Sequence, residues 1–143
     1  KHMAEMCAFS GTSTPPLFVP SVDHTFCGML TSTPIPATLW KGNVDADAIW
    51  DVLRDRYTEE PFVRVVAPGD NAEHLRDGRY LDLSECNFTN RLDLFVFGDP
   101  QVGFVLVGRQ DNLGKGASGN AVQCLNLMIG AEETTGLTDG LDG

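Results

Sequence analysis

Basic residues are scarce in this sequence, which has ten lysines and arginines against twenty aspartates and glutamates. The formal net charge of −10 disfavours nucleic acids and anionic membranes as partners, because both repel an acidic surface. Long hydrophobic runs are also lacking. No stretch approaches the roughly 20 apolar residues that a membrane-spanning helix requires, and no signal-peptide pattern opens the chain.

Cysteine pairs at metal-binding spacing are missing as well. The four cysteines (Cys7, Cys27, Cys86 and Cys124) are scattered and form no Cys-x-x-Cys motif, so we expect no zinc or other metal site. Scattered cysteines are typical of a reducing compartment, which predicts a cytoplasmic protein. Cys124 lies beside the apolar stripe of a predicted helix, and we expect it to be a small buried residue.

The most informative stretch is the glycine-rich segment 111–119, which follows a predicted strand at 103–108 and opens a predicted helix at 116–129. Gly114-x-Gly116-x-x-Gly119 has the spacing of the dinucleotide-binding fingerprint. A Rossmann unit also needs a second strand and an acidic residue after the helix, and we find no strand pattern in 131–143. The small residues could simply permit close helix packing. We favour a helix start that faces an anion or another ligand.

The rest of the pattern predicts a single α+β domain over residues 1–143. Helix 44–59 places Ala46, Ile49, Trp50, Leu53 and Tyr57 on one face. Strands are predicted at 17–20, 28–40, 62–66 and 80–83, and a hairpin joins 90–97 to 103–107. Pro34 and Pro36 lie two residues apart, which favours an edge position for the strand that contains them. Hairpin connections predict a mixed, mostly antiparallel sheet with helices on one face.

Three histidines could serve as a general base at neutral pH. His74 lies in a polar loop and is expected to be solvated. His24 follows the predicted strand 17–20, where it could contact a ligand, although the local sequence favours a plain loop residue. His2 lies at the very start, where local sequence indicates disorder or a cloning remnant. Spacing pairs none of them with a nucleophile, so the residues alone predict only an α+β domain with a ligand-facing helix start.

Several motifs, taken together and in order, resemble the C-terminal half of N-acetyl-γ-glutamyl-phosphate reductase, especially its shorter second type. They are Lys1-His2-x-x-Glu5-Met6, 17–22, Gly28-Met29-Leu30, 89–98 and 111–123. The resemblance implies a glyceraldehyde-phosphate-dehydrogenase-like C-terminal domain, with the N-terminal Rossmann half absent from this chain. That family uses NADPH to reduce N-acetyl-glutamyl phosphate to the semialdehyde in arginine biosynthesis. Its mechanism uses a cysteine thioester and a histidine base.

The resemblance also implies roles for individual residues. His2 corresponds to the histidine base, although Ala4 stands where the family has proline. Asn112 would lie near the nicotinamide, and Lys115 and Gly116 would lie at the seam between the two halves, so all three are expected to bind the cofactor. Segment 23–27 lacks the basic or amide residues expected before Gly-Met, which leaves His24 as the candidate substrate-binding residue. No cysteine here matches the nucleophile motif.

The expected function is therefore the substrate-binding and dimerisation domain of an NADPH-dependent reductase. NADP would be bound mainly by the missing half, the protein would be a homo-oligomer, and the isolated chain would be inactive. The alternative is a free-standing, non-catalytic binding or assembly module of the same fold. The departures at Ala4 and Cys27 favour this alternative slightly, and the intact glycine-rich loop favours the reductase.

Overall fold

The computed structural model describes residues 2–140. Lys1, which belongs to the first family motif, and residues 141–143 lie outside the described residues. The elements in chain order are helix α1 (His2–Ser10), strand β1 (Met29–Pro36), helix α2 (Ala46–Tyr57), strands β2 (Val63–Val65), β3 (Leu75–Arg76), β4 (Tyr80–Leu81), β5 (Leu92–Asp99) and β6 (Gly103–Gln110), and helix α3 (Gly119–Ile129). Short 3₁₀ helices cover residues 37–39 and 68–74, and a π-helical turn covers residues 114–118.

The main sheet has four strands in the order β1-β6-β5-β2. β6 pairs antiparallel with β1 and β5, whereas β2 pairs parallel with β5. The predicted hairpin is confirmed, with Phe97 opposite Val105 and Asp99 opposite Gly103. Asp99 Oδ1 accepts the Gln101 and Val102 N–H groups and so closes the turn. The predicted α+β class, with a mixed and mostly antiparallel sheet, is therefore confirmed.

The edge position of β1 is also confirmed. The N–H of Ala37 donates to Val102 O at 3.3 Å, and N–H directions alternate along a strand. The nitrogens of Pro34 and Pro36 therefore point away from β6. The missing N–H donors of these prolines remove no hydrogen bond between β1 and β6.

Helix α2 covers half of one sheet face. Asp45 caps its first turn by accepting the Ala48 N–H at 2.8 Å, and Trp50 Nε1 donates to Val65 O at 3.3 Å. The helix packs on β2 and β5 and leaves the β1–β6 half of that face open. An apolar concavity of about 310 Å³ remains there, with Thr31 and Leu106 in its wall.

A small apolar core lies on the opposite face, where the segment 68–88 covers the sheet. Val66, Phe95 and Val107 are buried together there. Asn71, which is also buried, donates to Val96 O at 2.8 Å and fastens the covering segment to β5.

A buried charge cluster continues this core and consists of Asp93, Arg64, Arg91 and Arg109. Asp93 and Arg109 are fully buried and lie opposite each other on β5 and β6. Arg64 binds Asp93 through Nε and Nη2 at 2.9 and 2.8 Å, and Arg109 Nη2 donates at 2.8 Å. Arg91 Nε lies 3.1 Å from Asp93 Oδ1. The Asp93 carboxylate thus contacts all three guanidinium groups.

The chain after α3 folds back along the helix. Asn126 donates to Glu133 O and Thr135 O, and Gly130 ends the helix with a φ of 71°. Asn90 N then donates to Thr138 O at 2.7 Å, and Arg91 Nη1 donates to Asp139 O at 3.0 Å. The tail is therefore tied to the start of β5.

Two local predictions are wrong. Residues 17–20 form no strand, and Leu17 and Val19 are exposed. Nearby Pro15, Pro16 and Pro20 lack the N–H donors that pairing requires. Cys124 is exposed rather than buried, because the residues of 2–140 leave much of α3 uncovered.

Candidate functional site

The glycine-rich loop after β6 is fixed by the carboxylate of Asp111. Its oxygens accept the N–H groups of Phe88, Leu113 and Gly114 at 2.8, 2.8 and 3.0 Å. Burial alone would raise the pKa of Asp111, but these backbone donors outweigh it and lower the pKa below its usual value. The loop is therefore anchored to residue 88 by an ionised side chain.

Asn112 joins this loop to the segment before β1. Its Oδ1 accepts the Gly28 N–H at 2.8 Å, although 84 positions separate the two residues. Asn87 Nδ2 reinforces the junction by donating to Cys27 O at 3.2 Å. Gly28 has a φ of 109°, and a Cβ there would lie 2.6 Å from Leu83 O, so the close approach requires glycine.

A cavity of about 470 Å³ opens beside this junction. Asn112, Asp23 and Thr25 contribute to its wall, together with Cys27. Burial and the neighbouring Asp111 raise the pKa of the Cys27 thiol, which keeps it protonated at neutral pH. A protonated, buried thiol is a poor nucleophile, which agrees with the absence of the family's cysteine motif.

Lys115 and Gly116 lie beyond the walls of this cavity. Lys115 Nζ donates to Gln123 Oε1 at 2.6 Å and lies 5.7 Å from the centre of the Phe62 ring. Burial lowers the pKa of Lys115, and the nearby Glu133 opposes that effect. Gly116 N donates to Asp111 O at 2.8 Å. Their assignment to cofactor binding stays a prediction.

The two candidate histidines lie on the surface. His2 Nδ1 is 3.9 Å from Glu5 Oε2, its ring is 5.7 Å from the Phe18 ring, and its side chain is 71% exposed. His24 Nδ1 is 2.7 Å from Asp23 Oδ1, and its side chain is 97% exposed. Within residues 2–140, no hydrogen bond or ion pair joins either histidine to Asn112. Their roles as base and substrate ligand stay predictions.

The expectation that His74 is solvated is wrong. Its ring packs edge-on against Phe95, and Nδ1 lies 3.4 Å from both Arg109 Nη2 and Glu85 Oε2. Arg109 Nη2 is also 2.6 Å from Glu85 Oε2. In the sequence, the available signal was a charged residue within each of two apolar strands, Asp93 in β5 and Arg109 in β6, which share one sheet face with Phe95.

From residue 2 to residue 140, no three His, Cys, Asp or Glu side chains are grouped in a way that could hold a metal ion. None of the helices described here has the length and apolarity needed to span a membrane.

Comparison with known proteins gives one family and a consistent set of relatives. A model described as "Semialdehyde dehydrogenase, dimerisation domain" matches residues 1–112. N-acetyl-gamma-glutamyl-phosphate reductase 2 of Nostoc sp. is 44% identical over 138 residues, which are 96% of this chain and 42% of the relative. N-acetyl-gamma-glutamyl-phosphate reductase of Trichormus variabilis is 43% identical over 138 residues, which are also 96% of this chain and 42% of the relative. The reductase of Allorhizobium ampelinum is 38% identical over 132 residues, which are 92% of this chain and 41% of the relative.

These matches confirm the resemblance carried by the sequence motifs. They also show that the chain spans about two fifths of the length of these curated relatives.

Proposed function

Since the chain belongs to the semialdehyde dehydrogenase dimerisation domain family, we propose that it is the substrate-binding and dimerisation part of an NADPH-dependent N-acetyl-γ-glutamyl-phosphate reductase in cytoplasmic arginine biosynthesis. The observation that carries this proposal is the Gly28–Asn112 junction. It brings two motifs that lie 84 positions apart to one cavity wall, as a site shared by substrate and cofactor requires.

Asn112 is the residue here that best fits the nicotinamide end of the cofactor. Its Oδ1 is occupied by the Gly28 N–H, so Nδ2 is the group that it can offer to a carbonyl oxygen. Lys115, three residues after Asn112, donates to Gln123. Most of the dinucleotide would therefore be held by the remainder of a longer protein. When bound, NADPH supplies the hydride.

His2 is proposed as the base that moves protons during acyl transfer. Its neighbour Glu5 lies one turn along α1, with Oε2 3.9 Å from His2 Nδ1. The exposed position leaves the ring accessible to a cysteine on another part of the protein. His24, beside Asp23, is proposed to contact the substrate.

We propose that two copies associate through the open half of the sheet face beside α2. The apolar concavity between β1, β6 and α2 has no cover among residues 2–140. A dimer mass is expected in light scattering at micromolar concentration. Leu106→Glu should give a monomer, because it places a charge in the interface. Val102→Glu in the exposed hairpin turn is the matched control and should stay dimeric. A monomeric parent chain would contradict the proposal.

The activity is tested by a chimera in which this chain replaces the matching segment of the 44%-identical relative. NADPH oxidation that depends on N-acetyl-glutamyl phosphate is expected from the chimera. The isolated chain is expected to show none, because none of its cysteines matches the nucleophile motif. Turnover by the isolated chain, or a folded but inactive chimera, would contradict the proposal.

A second function, a non-catalytic binding module, is favoured by one observation. Segment 23–27 exposes Phe26 where the family is expected to have basic or amide residues. Under this alternative the chimera folds and dimerises without turnover, so the same experiment separates the two functions.

A further inference from the structure

The loop after β6 is built around one buried carboxylate. Asp111 is 3% exposed. Its Oδ1 accepts the N–H groups of Leu113 and Gly114, and its Oδ2 accepts the N–H of Phe88. The thiol of Cys27 also lies against the carboxylate. Asp111 therefore connects three segments that are distant in the sequence: the segment before β1, the segment before β5 and the loop after β6.

The backbone around this carboxylate is shaped to reach it. A Cβ at position 114 would lie 3.3 Å from Asp111 Oδ2 and 2.9 Å from Thr89 O, so Gly114 allows the loop to close on the side chain. Phe88 has a φ of 63°, a left-handed conformation that side chains disfavour, and it is 78% exposed. Packing of its ring offers little to offset this strain, whereas its N–H gains the bond to Asp111.

The position of Asn112 depends on the same loop. Its Oδ1 accepts the Gly28 N–H, and the residue lines the cavity of about 470 Å³. Asp111 does not belong to the wall of that cavity, so a ligand there would meet Asn112 and not Asp111. The carboxylate nevertheless holds both sides of the junction. It accepts the Leu113 N–H on one side and contacts the Cys27 thiol on the other.

We infer that Asp111 is the positioning residue for Asn112, and that it sets the affinity of the site for NADPH through Asn112. A carboxylate accepts hydrogen bonds at both oxygens. Asp111→Asn keeps the shape of the side chain, but in either orientation of the amide an NH₂ group faces a backbone N–H donor. The loop or residue 88 is then released, and Asn112 is no longer held. This inference rests on the proposed function and adds a residue that acts on the cofactor without touching it.

The first readout is the junction itself and needs no cofactor. Hydrogen exchange of the Gly28 amide, followed by NMR in the ¹⁵N-labelled chain, reports whether its bond to Asn112 is formed. Asp111→Asn should speed this exchange about ten-fold, the equivalent of one hydrogen bond. Asp99→Asn is the matched control, because Asp99 Oδ1 also accepts two backbone N–H groups in a loop. The control should leave the exchange of Gly28 unchanged.

The second readout is the dissociation constant for NADPH in the chimera, measured by titration calorimetry without turnover. Asp111→Asn and Asn112→Ala should each weaken binding about ten-fold. The double variant should bind NADPH as Asn112→Ala does, because a residue that acts through Asn112 has no effect once that side chain is gone. If circular dichroism shows that Asp111→Asn is unfolded, Asp111→Ser takes its place. It retains an acceptor for the loop N–H groups, and the same direction of change is expected.

Each outcome of these measurements decides one of the two proposals. Parental exchange at Gly28 in the folded variant, or a loss of about a hundred-fold in the double variant, would overturn the inference. Parental NADPH affinity of Asp111→Asn in an active chimera would also overturn it and would leave the proposed function standing. An inactive chimera that binds NADPH with the expected pattern overturns the proposed activity alone. A folded chimera that does not bind NADPH overturns both.

Discussion

Replacing Asp93 with alanine is expected to lower the free energy of unfolding by about 3–5 kcal/mol, a large part of the stability of a domain of this size. The carboxylate is fully buried and forms ion pairs with Arg64, Arg91 and Arg109. Its removal takes from the buried Arg91 and Arg109 the buried carboxylate that they share and leaves the partly exposed Glu85 beside Arg109, which costs more than a lost surface ion pair. Urea denaturation followed by circular dichroism measures the change.

Asp55→Ala is the control, because Asp55 forms an exposed ion pair with Arg54. Its expected effect is below about 1 kcal/mol. A loss of stability in Asp93→Ala no larger than that of the control would mean that the cluster contributes little.

The same carboxylate predicts how stability depends on pH. Burial alone would raise the pKa of Asp93, but hydrogen bonds from Arg64 and Arg109 overcome it and lower the pKa. A lowered folded-state pKa stabilises the fold above the ordinary carboxyl value of about 3.9, and this stabilisation is lost as pH falls through the lower folded value. As the pH falls from neutral to strongly acidic, the free energy of unfolding should therefore decrease less in Asp93→Ala than in the parent chain.

Replacing His2 with asparagine in the chimera is expected to lower kcat about 10²- to 10⁴-fold, the usual contribution of a general acid–base group. Asparagine keeps the size and hydrogen-bonding character of the side chain but cannot transfer a proton at neutral pH. Steady-state rates of NADPH oxidation, followed across pH, measure the effect. Loss of the pH dependence attributable to a histidine is a change that a merely structural role would not cause.

His24→Asn in the same chimera provides the comparison. As a substrate ligand, His24 should affect KM more than kcat, because it binds ground state and transition state alike. A normal kcat in His2→Asn would remove His2 from the mechanism. A kcat defect in His24→Asn that matched the one expected for His2 would reverse the two assignments.

The fold was largely predictable because its determinants are local. The β5–β6 hairpin follows from alternating residues around Gly98, and α2 from its apolar face. Pro34 and Pro36 correctly predicted that the strand containing them, β1, lies at an edge of the sheet. The predicted strand at 17–20 failed because apolar residues alone do not supply a pairing partner. The exposed Cys124 shows that an apolar helix stripe does not specify what covers it.

The candidate site was predictable only in part. Family motifs pointed to Asn112, but its bond to Gly28 spans 84 positions and has no signature in spacing. The Asp93 cluster brings Arg64 and Arg109 together from two other strands. His74 could not be placed beside it without knowing how segment 68–88 crosses the sheet. Contacts that depend on tertiary docking lie outside what periodicity can predict.

The outward-facing nitrogens of Pro34 and Pro36 bear on how the protein behaves when concentrated. An open sheet edge is a template for strands of other molecules, and unpaired backbone groups there promote aggregation. Along β1 a foreign strand would find no N–H at those two positions, and so could not complete a regular ladder. The two prolines therefore protect the β1 edge against pairing with strands of other molecules.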